Sequence, residues 1–198
     1  MSLNKDLTIV FVSFYSKNLI EKPINQIDKN IQIIVVENSQ DEDLKSYLEK
    51  KYSNVKVVVP KKNTGNGGGA NLGLLNAKTK FVLYLDIDIE LSTQTIKTLY
   101  EYANKLDNFS ILAPKIDGVT YKEEFYLKKN ILDNVDSMNF ITGCALFFNM
   151  EVMKKIGFFD ENIFLYYEEN DLYLRSLNKN YNIFLINEAK IKHLGNQS

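Results

Sequence analysis

Short, nearly uninterrupted apolar runs along this chain alternate with stretches whose apolar residues recur at helical spacing. Leu7–Tyr15 (LTIVFVSFY), Ile31–Glu37 (IQIIVVE) and Val55–Val59 are rich in β-branched and aromatic residues. Such runs suit strands buried on both faces of a parallel sheet. Ile20–Gln26 predicts at best a weak helix, interrupted by Pro23. Asp41–Lys51 spaces Leu44, Tyr47 and Leu48 as one helical face, and Pro60 closes the third strand. The first half of Phe81–Glu90 (FVLYLDIDIE) is a continuous apolar, strand-favouring run that ends abruptly in Asp86 and Asp88. Ser92 then predicts an N-cap for a helix through Leu106, with Ile96, Leu99, Tyr100 and Ala103 at helical spacing. Ser110–Ala113 reads as a short strand stopped by Pro114. Strand–helix alternation of this kind predicts an α/β domain with a mostly parallel sheet flanked by helices.

The pattern then breaks. Ile116–Ser137 mixes Lys and Asp with Tyr and Phe, and reads as a hairpin or a mobile excursion. Phe140–Phe148 (FITGCALFF) resumes a strand-like run with Gly143 inside it. Met150–Ile156 is a short helix with Gly157 as its C-cap. The acids Glu168, Glu169 and Asp171 open a helix reaching about Asn178, and Asn182–Ile186 is the last strand. No repeat or linker divides the chain.

Composition narrows the class. The 198 residues fit one domain; 45% are apolar, 25% are charged and the net charge is -1. That balance gives no electrostatic case for nucleic acid or an anionic membrane, though peripheral membrane contact stays open. The single cysteine, Cys144, excludes an internal disulfide, suits a reducing compartment and reads as a core residue. No apolar run approaches transmembrane length and no signal peptide is apparent, so the expectation is a cytoplasmic protein.

Three features carry candidate chemistry. Asp86 and Asp88 end a buried strand, and residues i and i+2 point the same way, so the carboxylates converge. They are either the ligands of a hard cation, Mg²⁺ or Mn²⁺, or solvated acids at a polar strand end. Asn63–Gly73 (NTGNGGGANLG) holds four of the 9 glycines between Gly65 and Gly69, and runs into a helical Ala70–Ala77. It is either a turn that brings backbone close to a ligand, with a helix N-terminus behind it, or a flexible loop. The acids at 168–171 either serve chemistry or complement a helix dipole.

The order of these features resembles glycosyltransferase family 2, the inverting GT-A nucleotide-sugar transferases, and looks most like its rhamnosyltransferase-type branch. The likeness runs from about Leu7 to Ser198 and is most specific at Asn63–Gly73, Leu85–Asp88 and Gly157–Arg175 (GFFDENIFLYYEENDLYLR). It implies a Rossmann-like GT-A fold over 1–198. About 1–115 would form the nucleotide-sugar-binding half and about 116–198 the acceptor side. Ser13 and Glu37 would flank the nucleoside, although family members usually carry Asp at the latter place. Gly69, Ala70 and Asn71 would lie along the nucleotide-sugar, a UDP- or dTDP-sugar. Asp86 and Asp88 would hold Mn²⁺ or Mg²⁺ on the diphosphate, with His193 reaching the metal or diphosphate. Gly143, Asp160 and Glu161 would adjoin the acceptor, a glycan or lipid-linked sugar of bacterial surface polysaccharide synthesis. Glu168 and Glu169 match the family's Glu-Asp pair, whose second acid is the general base. Asp171 and Arg175 match the continuation of that motif.

Relatives commonly continue well beyond this histidine, so the chain is expected to be a truncated protein, a minimal enzyme or one module of a larger one. The competing reading is a non-catalytic nucleotide-sugar-binding or interaction module on the same fold. A sugar nucleotidyltransferase ranks below both, because no basic glycine-rich loop follows the first strand.

Overall fold

The structure, a computed structural model, describes residues 2–195. Residues 196–198, the end of the terminal motif, lie outside the described residues. In chain order the elements are α1 (Leu3–Asp6), β1 (Leu7–Ser13), α2 (Glu21–Ile24), β2 (Gln32–Glu37), α3 (Glu42–Lys51) and β3 (Val55–Val58). Next come α4 (Gly65–Asn76), β4 (Phe81–Leu85), β5 (Ile89–Leu91), α5 (Thr93–Lys105) and β6 (Phe109–Ile116). The second half contains β7 (Tyr126–Leu132), β8 (Val135–Met138), β9 (Ala145–Asn149), α6 (Met150–Ile156), α7 (Glu168–Asn178) and β10 (Asn182–His193).

One sheet runs through the molecule in the order β3-β2-β1-β4-β9-β6-β10-β8-β7, with β5 paired to β10. The expected parallel arrangement occupies β3, β2, β1 and β4. Beyond them the sheet is mixed: β9 is antiparallel to both β4 and β6, while β10 is parallel to β6.

Strand parity sorts the core into two layers, because successive residues face opposite sides of a sheet. Ile9, Phe11, Leu83, Leu85 and Phe147 join Leu44 and Leu48 of α3 and Ile96 and Leu99 of α5 on one side. Val10, Val82, Tyr84, Leu146 and Phe148 join Ala70 and Leu74 of α4, Met153 of α6 and Leu172 and Tyr173 of α7 on the other. Helix starts are fixed as their residue types predict. The Asp41 and Ser92 side chains accept the backbone N–H groups of Leu44 and Thr95.

Several boundaries depart from the sequence reading. The glycine-rich stretch is neither a turn nor a loop: α4 begins at Gly65. A Cβ at Gly69 would lie 2.9 Å from Val12 Cγ1, and one at Gly73 only 2.2 Å from Val10 Cγ1. These two glycines let a helix press onto β1, so the close approach they permit is helix to strand. The helix-propensity cost of glycine, about 1 kcal/mol each, is offset by that packing.

Pro114 does not end its strand. It sits inside β6, opposite Ile186, where the pairing with β10 shifts register before Lys190, a position that tolerates a missing N–H. The same irregularity carries β10 past Ile186 to His193. The Phe140–Phe148 run enters the sheet only at Ala145, leaving 139–144 as a loop, and Ile116–Ser137 contains the hairpin of β7 and β8.

The contact between α4 and β1 generates a prediction. Gly73→Ala should cost about 1–3 kcal/mol by overpacking, read as a lower Tm. Val10→Ala in the same chain should recover part of that loss. Strictly additive effects of the two substitutions would mean that the helix shifts freely and that the close approach is not required.

Candidate active site

The apolar part of β4 ends at Leu85, and the chain turns through Asp86, Ile87 and Asp88 into β5. The Asp86 N–H donates to the Cys144 carbonyl at 2.9 Å, which ties this turn to the 139–144 loop. β10 arrives antiparallel to β5 with His193 opposite Ile89, and the Leu194 N–H donates to the Asp88 carbonyl at 3.1 Å. Asp86, Asp88 and His193 thus meet at one point, each offering a ligand atom within 4.8 Å of the others. Asp88 is 4% exposed, and neither of its carboxylate oxygens has a hydrogen-bond partner. His193 Nε2 lies 3.3 Å from Asp88 Oδ1, an ion-pair distance if the imidazole is protonated. Burial pushes the Asp86 carboxyl up to about 7 against the lowering effect of the Tyr84 hydroxyl, and the charges of Asp88, Glu168 and Glu169 add to the rise.

α7 brings two further acids. Tyr166 and Tyr167 both adopt left-handed backbone, with φ 65 and 68, a conformation that costs bulky residues about 1–2 kcal/mol each. The Asn66 N–H donates to the Phe164 carbonyl at 3.0 Å and clamps the segment. Gly65, at φ 74, makes room for it: a Cβ there would fall 2.1 Å from the Phe164 oxygen. From this turn Glu168 projects inward and is buried. Its Oε1 accepts from the Asn66 amide at 2.6 Å and its Oε2 has no partner. Glu169 lies against the 139–144 loop, where a Cβ at Gly143 would sit 3.1 Å from its Cδ. Burial raises the Glu169 pKa against the lowering effect of its own backbone N–H, with the Glu168 charge adding to the rise.

These groups open onto a cleft of about 450 Å³. Asn63, Asn66, Tyr84, Asp86, Gly143, Cys144, Glu168, Glu169 and His193 are among the residues that line it, and among the described residues no lysine or arginine does. The apolar rim includes Phe14, Phe164 and Tyr166, each about half or more exposed. Cys144 is buried and burial pushes its thiol pKa up, as suits an inert core residue.

Other expected site residues lie behind the cleft or to one side. The Ser13 hydroxyl donates to Glu37 Oε2 at 2.6 Å, and the Ser39 N–H donates to Glu37 Oε1 at 2.9 Å; Ser13 and Glu37 are fully buried. Gly69 and Ala70 face the sheet from α4. The Asn71 amide exchanges two hydrogen bonds with the Phe159 backbone and reaches Glu161 Oε1 at 3.2 Å. Asp160 is exposed and accepts from the Asn162 backbone and amide. Asp171 binds Arg175, whose guanidinium also donates to the Ile156 and Phe158 carbonyls. That network anchors the start of the segment between α6 and α7.

Asn66 and Tyr84 are among the cleft residues missed in sequence. Asn66 lies inside the glycine-rich stretch. Tyr84 is two residues before Asp86 and therefore on the same face, the parity that could have revealed it.

The profile described as Glycosyl transferase family 2 matches residues 15–181. The low-salt glycan biosynthesis hexosyltransferase Agl10 of Haloferax volcanii is 26% identical over 200 residues, 90% of this chain and 64% of that protein. The GalNAc(5)-diNAcBac-PP-undecaprenol beta-1,3-glucosyltransferase of Campylobacter jejuni is 33% identical over 107 residues, 50% of this chain and 35% of that one. The chain thus spans less than two thirds of the length of each. The crystal structure of GalNAc-T7 with UDP, GalNAc and Mn²⁺ superposes with a TM-score of 0.77 at 16% identity, covering 95% of this chain and 43% of that one. The fold is therefore that of the GT-A glycosyltransferases.

The buried Asp88 carboxylate, without a hydrogen-bond partner among the described residues, predicts an unusual response to substitution. Asp88→Asn neutralises a buried charge, so without divalent metal it should raise the Tm. A gain of about 1 kcal/mol corresponds to about 2–4 °C at this size. The same variant should lose any stabilisation that Mn²⁺ gives the wild type. A lower Tm in EDTA would make Asp88 a folding anchor.

Proposed function

The chain belongs to glycosyl transferase family 2, and on that premise we propose that it forms the donor-binding and catalytic core of a metal-dependent, inverting hexosyltransferase. The donor is a UDP- or dTDP-sugar, and the acceptor is a glycan or lipid-linked sugar of a surface polysaccharide. One observation carries the reading: the cleft is lined by acids, has no lysine or arginine among the described residues, and adjoins the buried Asp88 carboxylate, which has no hydrogen-bond partner and only His193 within ion-pair distance. A sugar diphosphate cannot settle among such groups unless a cation joins them.

Two carboxylates and an imidazole suit Mn²⁺ or Mg²⁺, and Asp86, Asp88 and His193 would hold it. When bound, the ion supplies positive charge for the departing diphosphate. UDP and Mn²⁺ in GalNAc-T7 and the undecaprenol-linked name of the Campylobacter relative support the donor and acceptor classes.

The remaining steps belong to the chain's own groups. The acceptor hydroxyl attacks the anomeric carbon as the bond to the diphosphate oxygen breaks, and Glu169 takes the hydroxyl proton. Its partial burial beside Gly143 raises its pKa, the direction that strengthens a general base. Gly143 keeps the acceptor side open, with Asp160 and Glu161 farther along it. Ser13, Glu37, Gly69, Ala70 and Asn71 shape the nucleotide side from behind the cleft wall. The donor half comprises about 1–115 and the acceptor half about 116–198. No helix among the described residues is long and apolar enough to cross a membrane; in this reading the enzyme is cytoplasmic and meets a lipid-linked acceptor at the inner face of the membrane.

Two variants separate the acids of α7. Glu169→Gln should keep UDP–Mn²⁺ binding and slow transfer by roughly 10²–10⁴-fold. Asp171→Asn should lower the Tm by about 0.2–1 kcal/mol equivalent, with turnover near the wild type. The reverse pattern would move the base to Asp171.

A second test is pH. Glu169 must be ionised to act, so its raised pKa places the acid limb of the rate profile above the ordinary glutamate range. Activity should rise with pH through that limb, and Glu169→Gln should abolish the limb. A limb that survives in the amide variant belongs to another group.

A further inference from the structure

The Tyr84 hydroxyl stands 2.9 Å from Asp86 Oδ1 and 2.9 Å from Asn66 Oδ1. A phenol has one proton, so it satisfies one of these acceptors at a time. The Asn66 orientation follows from its other contact: its amide nitrogen lies 2.6 Å from Glu168 Oε1, and only the nitrogen can donate to a carboxylate. That leaves the Asn66 oxygen facing Tyr84. The four side chains form one line, Asp86–Tyr84–Asn66–Glu168, from the end of β4 across the first turn of α4 to the first residue of α7. Tyr84 is 2% exposed and Glu168 is 4% exposed, so the line is sheltered from solvent, where unsatisfied polar groups are costly.

We propose that Tyr84 and Asn66 are positioning residues that couple occupancy of the Asp86–Asp88–His193 site to the start of α7. This rests on the metal-site reading above. With no cation present, the Tyr84 proton goes to the Asp86 carboxylate and the Asn66 oxygen lacks a donor. A cation on the carboxylates takes over the satisfaction of Asp86. The hydroxyl then turns its proton to Asn66, completing the hydrogen bonds of the amide that holds Glu168. Glu169, the next residue, is thereby held more firmly against Gly143 when the donor's cation is in place. No bond other than a hydrogen bond changes, and the proton stays on the phenol oxygen. Groups behind metal ligands commonly set affinity by 10–100-fold.

The experiment is a double-variant cycle read by Mn²⁺ titration calorimetry in saturating UDP, with Tm and circular dichroism as folding controls. Tyr84→Phe keeps the buried ring and removes the hydroxyl bond to the Asp86 carboxylate that a cation has to displace; because a hydrogen bond to a charged group outweighs the neutral one to Asn66, it should tighten Mn²⁺ by about tenfold. Glu168→Gln, which keeps the side chain's size and touches no metal ligand, should weaken Mn²⁺. Loss of its charge through space would simply multiply with the first effect. Coupling through the line instead makes the double variant depart from that product. A double variant equal to the product of the singles, or a Tyr84→Phe protein with wild-type affinity, would overturn the coupling and leave the metal site standing. A wild type that binds no Mn²⁺, with or without UDP, would overturn the metal-site reading itself.

Discussion

The crowding of carboxylates at one end of the sheet is the constraint on which this structure turns. Asp86, Glu168 and Glu169 line one cleft and Asp88 is buried beside Asp86 and His193, with no lysine or arginine among the described residues along the walls. Like charges in a partly desolvated space repel each other and favour the neutral form. The rise of the Asp86 pKa to about 7, caused first by burial, shows the same pressure at one group. An arrangement so unfavourable persists only because the surrounding fold over-determines it.

That determination comes from the scaffold. β4 is buried on both faces and enters the sheet beside β1, fixing where Asp86 and Asp88 emerge. The glycines of α4 bring that helix hard against β1, which sets Asn66 over the cleft. β10 crosses the sheet, survives a register shift and delivers His193 beside Asp88. The hydrophobic burial on both sides of the sheet is large beside the cost of gathering acids at its edge.

The acids of α7 illustrate how adjacent residues acquire different work. Two left-handed tyrosines set the helix direction, so that Glu168 is buried against Asn66 and Glu169 meets the 139–144 loop. Asp171, one turn on, pairs with Arg175 and secures the chain behind α6. Three acids within four positions thus divide between an inner hydrogen bond, the cleft and an anchoring ion pair.

The apolar runs by themselves determined the strands of the first half, because a strand buried on both faces needs such runs wherever it sits. The helix starts at Ser92 and Asp41 were equally local, following from side-chain hydrogen bonding, whereas Asp86 and Asp88 meet through the turn between β4 and β5 rather than by strand parity. The order of motifs carried the family. What the sequence left open was decided by contacts between distant segments. The glycine stretch became a helix because β1 lay close enough to require residues without a Cβ. Pro114 stayed within a strand because β10 slipped register beside it. Glu37 and Asn71 are polar residues whose partners, Ser13 and Phe159, are 24 and 88 residues away. A side chain's type limits which bonds it can make, but only the packing of remote elements decides whether its partner is a ligand or the protein itself.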